Sequence, residues 1–365
     1  MFKSASEAVA LEQPQAKLTA TVFTVVSILI TVFGRMVFPL GWWNLWIWFV
    51  CCGVVLLSVS RFSIRHVVPL PELGLLSFPF CFDFFFQRIC PTAKIASVDE
   101  LLWCVDANFG YPQPGWGRLL VAFPLLLWIC KLVWSSLPLQ FVIVYLALPA
   151  LVRRRYVVAV VSTACLILPL YALCPGAGPV YLFRDHYPYP NSLPMPLLNP
   201  HRTLLPPGLL LNTTPSGHMA WALLLFWFSY KHCGKRVAAC FGAIVGLTVF
   251  ATLGLGEHYV IDLIVAVPFA AAVWSLVNRQ WKACGALVAF VVAWLVALRV
   301  GWALLIPMPV MWLLSLVTIL VSLPAAMMEY PFHSLPTKSP GIEPGIQKPF
   351  LAKRDDTGSQ QAEFG

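Results

Sequence analysis

The sequence predicts an all-α protein, a polytopic membrane bundle of about ten transmembrane helices. Hydrophobic residues make up 59% of the chain and charged residues only 11%, whereas soluble proteins carry about 25% charged residues. Apolar runs recur with lengths near the ~20 residues that a helix needs to cross a bilayer. Basic residues cluster in the short loops between these runs, as they do on the cytoplasmic side of membrane proteins. The net charge of +9 therefore indicates a membrane topology and not a nucleic-acid partner.

Ten apolar runs are long enough, or nearly long enough, to be predicted as spans. We expect the first run to be retained, because Glu7 and Glu12 precede it and no small-residue cleavage site follows it. The fourth and sixth runs are short. The runs are 18–38, 42–59, 118–136, 138–152, 156–173, 216–231, 236–255, 258–277, 283–302 and 304–325.

Three short basic loops orient the predicted bundle. They are "RRR" (153–155), "KHCGKR" (231–236) and "NRQWK" (278–282), and placing them in the cytoplasm puts both chain ends inside. The segment 61–117, rich in Pro and aromatic residues, is expected to lie at the membrane interface as short amphipathic pieces. The polar tail 331–365 is expected to be disordered.

Two stretches place a histidine at the mouth of an apolar run. "TPSGHMAW" (214–221) carries His218 at the start of the sixth run, and "GEHYVID" (256–262) carries His258 at the start of the eighth. One helical hairpin separates the two runs, so the topology brings both histidines to the outer face at similar depth. Ionisable residues in membrane segments are candidates for function.

The residues around these histidines suit phosphoryl chemistry. Asp262 follows His258 by four residues, and on a helix this spacing would put the two side chains on one face. A carboxylate there can accept the imidazole N–H and stabilise the charged ring. Ser216 and Gly217 open the sixth run, where free backbone N–H groups of a helix start favour an anion such as phosphate.

These motifs resemble those of a known superfamily. "PSGH" (215–218) followed by "GEHYVID" resembles the signature of the type 2 phosphatidic acid phosphatases. "CPGAGPVYLF" (174–183) is similar to bacterial members grouped with inositol phosphorylceramide synthases, and "HYVID" resembles the last motif of sphingomyelin synthases. The resemblance implies a lipid phosphatase or phosphotransferase that acts on a lipid phosphate or a phospholipid headgroup, without metal or cofactor.

The resemblance also implies roles for the three polar side chains. His258 would attack phosphorus and form a phosphohistidine, Asp262 would orient it, and His218 would protonate the leaving alcohol. The implied setting is a bacterial inner membrane with the active site on the periplasmic or outer side. The implied fold is a six-helix catalytic core made of the third to eighth runs. The predicted domains are two N-terminal helices (1–60), the interfacial segment (61–117), the catalytic core (118–278), two C-terminal helices (279–330) and the tail (331–365).

The sequence departs from the phosphatase pattern at its phosphate-binding cations. The KxxxxxxRP motif is missing, and Ala251 and Thr252 stand where phosphatases have Ser-Arg. Sphingolipid-type phosphotransferases also lack that Ser-Arg pair, which favours transfer over hydrolysis. Because a phosphoryl group needs positive charge in the transition state, Arg184 and Arg202, in the loop before PSGH, are the predicted substitutes.

Two other functions fit the same residues. A transporter could use His218, His258 and Asp262 as a proton relay, but it would favour polar residues at the bilayer midplane and broken helices. Here the polar residues gather at helix ends. A metal hydrolase could use two histidines and one aspartate as ligands, but no HExxH motif or third histidine supports it.

Overall fold

The structure, a computed structural model, describes residues 72, 75–76, 97–183, 186–187 and 212–327. In this part of the chain every regular element is a helix, as the predicted all-α class requires. The predicted spans 18–38 and 42–59 and the tail 331–365 lie outside the described residues.

Eleven α-helices follow one another in the described residues, with short 3-10 turns at Ala107–Phe109 and Trp302–Leu305. The helices are α1 (Asp99–Asp106), α2 (Pro112–Ala122), α3 (Pro124–Ser135), α4 (Leu137–Ala147), α5 (Ala150–Leu173), α6 (Pro179–Leu182), α7 (Gly217–His232), α8 (Lys235–Gly254), α9 (Val260–Val277), α10 (Trp281–Val300) and α11 (Met308–Met327).

The two helices that carry the histidine motifs lie inside the bundle. Helix α9 is apolar on all sides and almost entirely buried, which is typical of a central helix. It packs against α5, α7, α10 and α11. Helix α7 packs against α4, α5, α8 and α9. Other helices of the described residues thus pack against both motif helices, which also pack against each other.

Four helices of the described residues, α5, α8, α9 and α10, are long and apolar enough to cross a membrane. The pair α2–α3 makes a fifth span if it is counted as one. Helix α4 and the 308–323 part of α11 are apolar but shorter. These helices are consistent with an integral membrane protein. The predicted ten spans and six-helix core are not confirmed.

The predicted third span is not one helix. In place of a run from 118 to 136, α2 and α3 meet at an angle of 116°. Phe123, between them, has φ −121° and ψ 84°, outside the helical region. Pro124 explains the break, because proline lacks a backbone N–H and its ring disfavours a helical residue before it.

The basic triplet 153–155 lies in a helix and not in a loop. Helix α4 ends at Ala147 and α5 already begins at Ala150, so the predicted boundary between the fourth and fifth spans is wrong. Leu148 is extended with ψ 144° before Pro149, and Arg153 bonds across this connection: its Nε donates to the carbonyl of Leu148 at 3.0 Å and its Nη2 to the carbonyl of Leu146 at 3.3 Å. These bonds satisfy carbonyls that the end of α4 leaves unpaired.

Short helical pieces fill the described part of the predicted interfacial segment. Helix α1 packs against α9, and α2 packs against α8. Residue 118, the predicted start of the core, lies within α2. The helices that support the motifs therefore begin about twenty residues before that position, at Asp99.

Candidate active site

His258 lies in the turn between α8 and α9. The backbone N–H groups of Glu257 and His258 both donate to the carbonyl of Thr252, at 3.0 and 3.3 Å. Gly256 has a φ of 76°, and a Cβ there would lie 2.6 Å from the Tyr187 ring. Only glycine fits this position, since it is the residue that tolerates both the positive φ and the close approach.

The imidazole of His258 meets Asp262, but not across one helix face as the spacing predicted. Helix α9 begins at Val260, after Tyr259, which is extended with φ −83° and ψ 158°. Asp262 is in the first turn, and its Oδ2 accepts the Tyr259 N–H at 2.8 Å. His258 Nδ1 lies 3.4 Å from the same oxygen. The helix cap, and not helical periodicity, brings the pair together.

A main-chain carbonyl is the nearer partner of the imidazole. His258 Nδ1 is 3.0 Å from the carbonyl oxygen of Thr213. Because a carbonyl oxygen only accepts, Nδ1 is the donor in this contact, and in the neutral imidazole this leaves the lone pair on Nε2. The hydroxyl of Thr214 donates to the other oxygen of Asp262 at 2.5 Å. The sequence did not single out Thr213 or Thr214 as site residues, because neither side chain has a catalytic signature.

Ser216 connects the two motifs through the backbone. Its N–H donates to the main-chain carbonyl of Asp262 at 3.1 Å. Its side chain caps α7 by accepting the N–H of Met219 at 3.3 Å. Gly217 follows, and a Cβ there would lie 3.1 Å from the Tyr171 hydroxyl oxygen. The role of Ser216 and Gly217 in phosphate binding stays a prediction.

His218 lies beside this arrangement in the first turn of α7. Its ring stacks on Trp134 of α3 with centroids 4.7 Å apart and an interplanar angle of 12°. Ser216, two residues before His218, is bonded to Asp262, four residues after His258, so both histidines lie at the same end of the two motif helices. The structure thus brings together the two histidines that the sequence singled out, and it adds Trp134 as a neighbour.

Two buried aspartates of α1 contact the same region, and the sequence motifs do not include them. Asp106 accepts the N–H groups of Val260 and Ile261 at 2.8 and 3.4 Å, and also Nε2 of Gln113. Burial raises the pKa of Asp106, while the hydrogen bond from Val260 lowers it.

Asp99 binds the segment that corresponds to "CPGAGP". It accepts the N–H groups of Ala177 at 2.9 Å and Gly178 at 3.0 Å, and the Tyr259 hydroxyl at 2.8 Å. Burial also raises the pKa of Asp99, against the effect of these hydrogen bonds. The signal in the sequence is the spacing of Asp99 and Asp106, seven residues apart and thus on one face of a short helix, the face that also carries the buried Leu102.

The two residues that stand where phosphatases have Ser-Arg are packed inside the bundle. Ala251 and Thr252 are both fully buried. The Thr252 hydroxyl donates to the Thr248 carbonyl in its own helix at 2.8 Å, and its carbonyl holds the His258 turn. The predicted substitutes Arg184 and Arg202 lie outside the described residues.

Searches among curated proteins and among solved structures gave no match to the chain. Within the described ranges, no group of three or more His, Cys, Asp or Glu residues is arranged to hold a metal ion. A family model matches the part of the chain that contains the candidate site. Residues 100–276, which hold both histidine motifs and Asp106, match the model of the PAP2 superfamily, the family of type 2 phosphatidic acid phosphatases that the motifs resemble.

Proposed function

We propose that this chain is a membrane-embedded lipid phosphatase or phosphotransferase of the PAP2 superfamily that works through a phosphohistidine on His258. One observation carries the proposal: the Nδ1 of His258 is held by the Thr213 carbonyl and Asp262, with His218 beside it. The PAP2 match over residues 100–276 supports the reaction class independently of this geometry.

In the proposed first step, the lone pair on His258 Nε2 attacks phosphorus and the bond to the leaving oxygen breaks. Asp262 stabilises the positive charge that develops on the imidazole. His218 gives its proton to the leaving alkoxide as general acid. In the second step His218 takes a proton from water or an alcohol, whose oxygen attacks phosphorus and breaks the P–N bond.

The proposed substrate is a lipid phosphate or a phospholipid headgroup, because the site lies at helix ends of an apolar bundle. Ala251 and Thr252, in place of Ser-Arg, favour an alcohol acceptor, as in inositol phosphorylceramide and sphingomyelin synthases. We propose that Arg184 and Arg202 neutralise the phosphate. The proposed setting is a bacterial inner membrane with the site facing outward.

A transporter with a histidine–aspartate proton relay is supported less well. In the described residues the three polar side chains of the site lie at the starts of α7 and α9 and in the turn before α9, while a relay requires a path through the bilayer. The PAP2 match does not favour transport.

The decisive experiment is a trapping assay on the purified full chain in nanodiscs. Phospholipids labelled in the phosphate are incubated with the protein in the presence of EDTA, and the protein is denatured in base. We expect an acid-labile phosphoprotein in the wild type and none in His258→Ala. The matched control is His232→Gln, which removes a histidine from the other end of α7.

The results of this assay distinguish the proposed enzyme from a metal hydrolase and from a transporter. Equal turnover of every phospholipid, isoprenoid phosphate and sphingolipid by wild type and His258→Ala would overturn the proposal. Turnover that EDTA abolishes would favour a metal hydrolase. Proton-coupled uptake of a solute into vesicles, lost in His258→Ala without any phosphoprotein, would favour the transporter.

A further inference from the structure

We propose that Asp106 and Asp99 are positioning residues for His258: from outside the two histidine motifs they hold the backbone turn that presents the imidazole. The structure assigns each acid a different side of the turn. The kinetic part of this inference rests on the proposed function, and the structural part does not.

Asp106 fixes the chain after His258. The first N–H groups of a helix have no partner within that helix, and in α9 two of them, from Val260 and Ile261, donate to the Asp106 carboxylate. A helix is usually capped by a residue next to it in sequence. Here the acceptor comes from another helix, 154 residues away from Val260. The start of α9, two residues beyond His258, is therefore tied to α1.

Asp99 fixes the turn from two directions. Its Oδ1 accepts the hydroxyl of Tyr259, the residue directly after His258, at 2.8 Å. The same carboxylate accepts the N–H groups of Ala177 and Gly178. That segment presses against the residue before His258, because a Cβ on Gly178 would lie 2.6 Å from the carbonyl oxygen of Glu257.

The turn and the 177–180 segment are also bonded directly. The N–H of Val180 donates to the carbonyl of Gly256 at 2.9 Å. Gly178 has a φ of 105°, a conformation that favours glycine. The course of the segment therefore depends on the glycine at this position. Asp99 accepts the N–H groups of Ala177 and Gly178 within this segment. The His258 turn is thus enclosed between the 177–180 segment and the start of α9.

These contacts explain how two acids can act through His258 without bonding its ring. The ring keeps Nε2 directed to the substrate only while Nδ1 stays at 3.0 Å from the Thr213 carbonyl and 3.4 Å from Asp262. Both distances depend on the backbone position at residue 258. A displacement of about 1 Å in a reacting group costs on the order of a hundredfold in rate. The loss should therefore fall on kcat and not on KM.

The test compares Asp106→Asn, Asp106→Leu, Asp99→Asn and Asp99→Leu with wild type in nanodiscs. Thr163→Val is the matched control, because Thr163 is fully buried and its hydroxyl donates to Ala159 within its own helix. Hydrogen–deuterium exchange is followed in peptides that cover 175–183 and 256–262, and steady-state kinetics are measured on the phospholipid that the wild type turns over.

We expect exchange at Val260 and Ile261 to be at least about tenfold faster in Asp106→Leu, and exchange at Ala177 and Gly178 in Asp99→Leu. Peptides from α8 and α10 keep wild-type exchange. We expect kcat to fall about tenfold to a hundredfold in the leucine variants, with KM within about twofold of wild type. We expect exchange rates and kcat values of the asparagine variants to lie between those of the wild type and the leucine variants. The amide oxygen can still accept some of the hydrogen bonds that the carboxylate accepts.

Unchanged exchange in both leucine variants would overturn the inference, whether or not the protein has activity. Faster local exchange with wild-type kcat would overturn it as well, because the acids would then be structural only. A wild type without turnover on any lipid defeats the proposed function by itself, and local exchange then decides whether the acids hold the turn. Faster exchange throughout the bundle in the asparagine variants would contradict a local role.

Discussion

At the scale of single residues, Thr214 is one of the hydrogen-bond donors to the carboxylate of Asp262. Its hydroxyl bonds one carboxylate oxygen at 2.5 Å, and the Tyr259 N–H bonds the other at 2.8 Å. Asp262 is fully buried, so each donor offsets part of the cost of burying its charge. Thr214 therefore bears on the proposed chemistry, although it lies directly before the PSGH motif (215–218) that carries the resemblance.

Replacing Thr214 by Val should lower turnover about tenfold, because a buried acceptor that loses its donor costs about 1–3 kcal/mol. Thr214→Ser should keep most of the activity, since the hydroxyl remains. The measurement is kcat/KM on the lipid substrate, with Thr163→Val as the control. Equal rates for Thr214→Val and wild type would remove Thr214 from the site.

Gly256 allows a sharper prediction about stability. A Cβ there would meet the Tyr187 ring at 2.6 Å and the Cβ of Val180 at 2.7 Å, so Gly256→Ala should destabilise the fold by about 1–3 kcal/mol through overpacking. Gly285 in α10 is the control, because a Cβ there meets nothing within 4 Å and alanine raises helix stability by about 1 kcal/mol. Thermal unfolding in detergent should move the two variants in opposite directions.

At the scale of elements, the short connection between α4 and α5 depends on Arg153. Besides its bonds to the carbonyls of Leu146 and Leu148, its guanidinium lies 5.2 Å from the centre of the Tyr145 ring. The same side chain was predicted only to set topology. A basic residue can thus orient the chain in the membrane and also close the end of a helix.

Arg153→Ala should destabilise the protein by about 1 kcal/mol, because half-buried charged hydrogen bonds are weakened by solvent. Arg154→Ala removes the same charge from an exposed neighbour and should leave the melting temperature unchanged. Since both variants lose one positive charge, any difference between them reports the bonds to α4. Equal melting temperatures would contradict this role.

The sequence predicted some elements well and others poorly for identifiable reasons. Helices α7 to α11 lie close to the predicted runs, because glycine and charged residues separate them clearly. The α2–α3 bend was missed because hydropathy averages over Pro124. The histidine motifs stood out against apolar sequence, but the Thr213 carbonyl has no side-chain signature, and Asp106 is remote in sequence from the turn it caps.

At the scale of the whole molecule, α10 indicates where the bilayer lies. Trp281 begins this helix and Trp302 follows its end, and both are more than half exposed. Twenty helical residues span about 30 Å, the thickness of the hydrocarbon core. Tryptophan favours the two interfaces of a membrane. By the alternation of α7 to α10, Trp302 lies at the end of the bundle that holds His218 and His258.

The orientation can be tested with these two positions. In a background without the natural cysteines, Trp281→Cys should react with a membrane-impermeant thiol reagent only from the cytoplasmic side, and Trp302→Cys only from the outer side. The reason is that two basic residues, Arg279 and Lys282, lie at the start of α10 or just before it. Labelling of both from the same side would show that α10 does not cross the membrane, and the reverse pattern would place the site inside.

The main-chain bond from Ser216 to Asp262 has a consequence for how such a protein can diversify. Because it joins backbone to backbone, no side-chain substitution other than proline at position 216, which lacks the N–H, removes either partner directly. This bond joins the two reactive centres directly, in addition to the hairpin 219–255, whose Thr252 carbonyl accepts the N–H groups of Glu257 and His258. Exposed side chains of that hairpin, such as Tyr230, can therefore change while the bond between Ser216 and Asp262 keeps the two motifs in register.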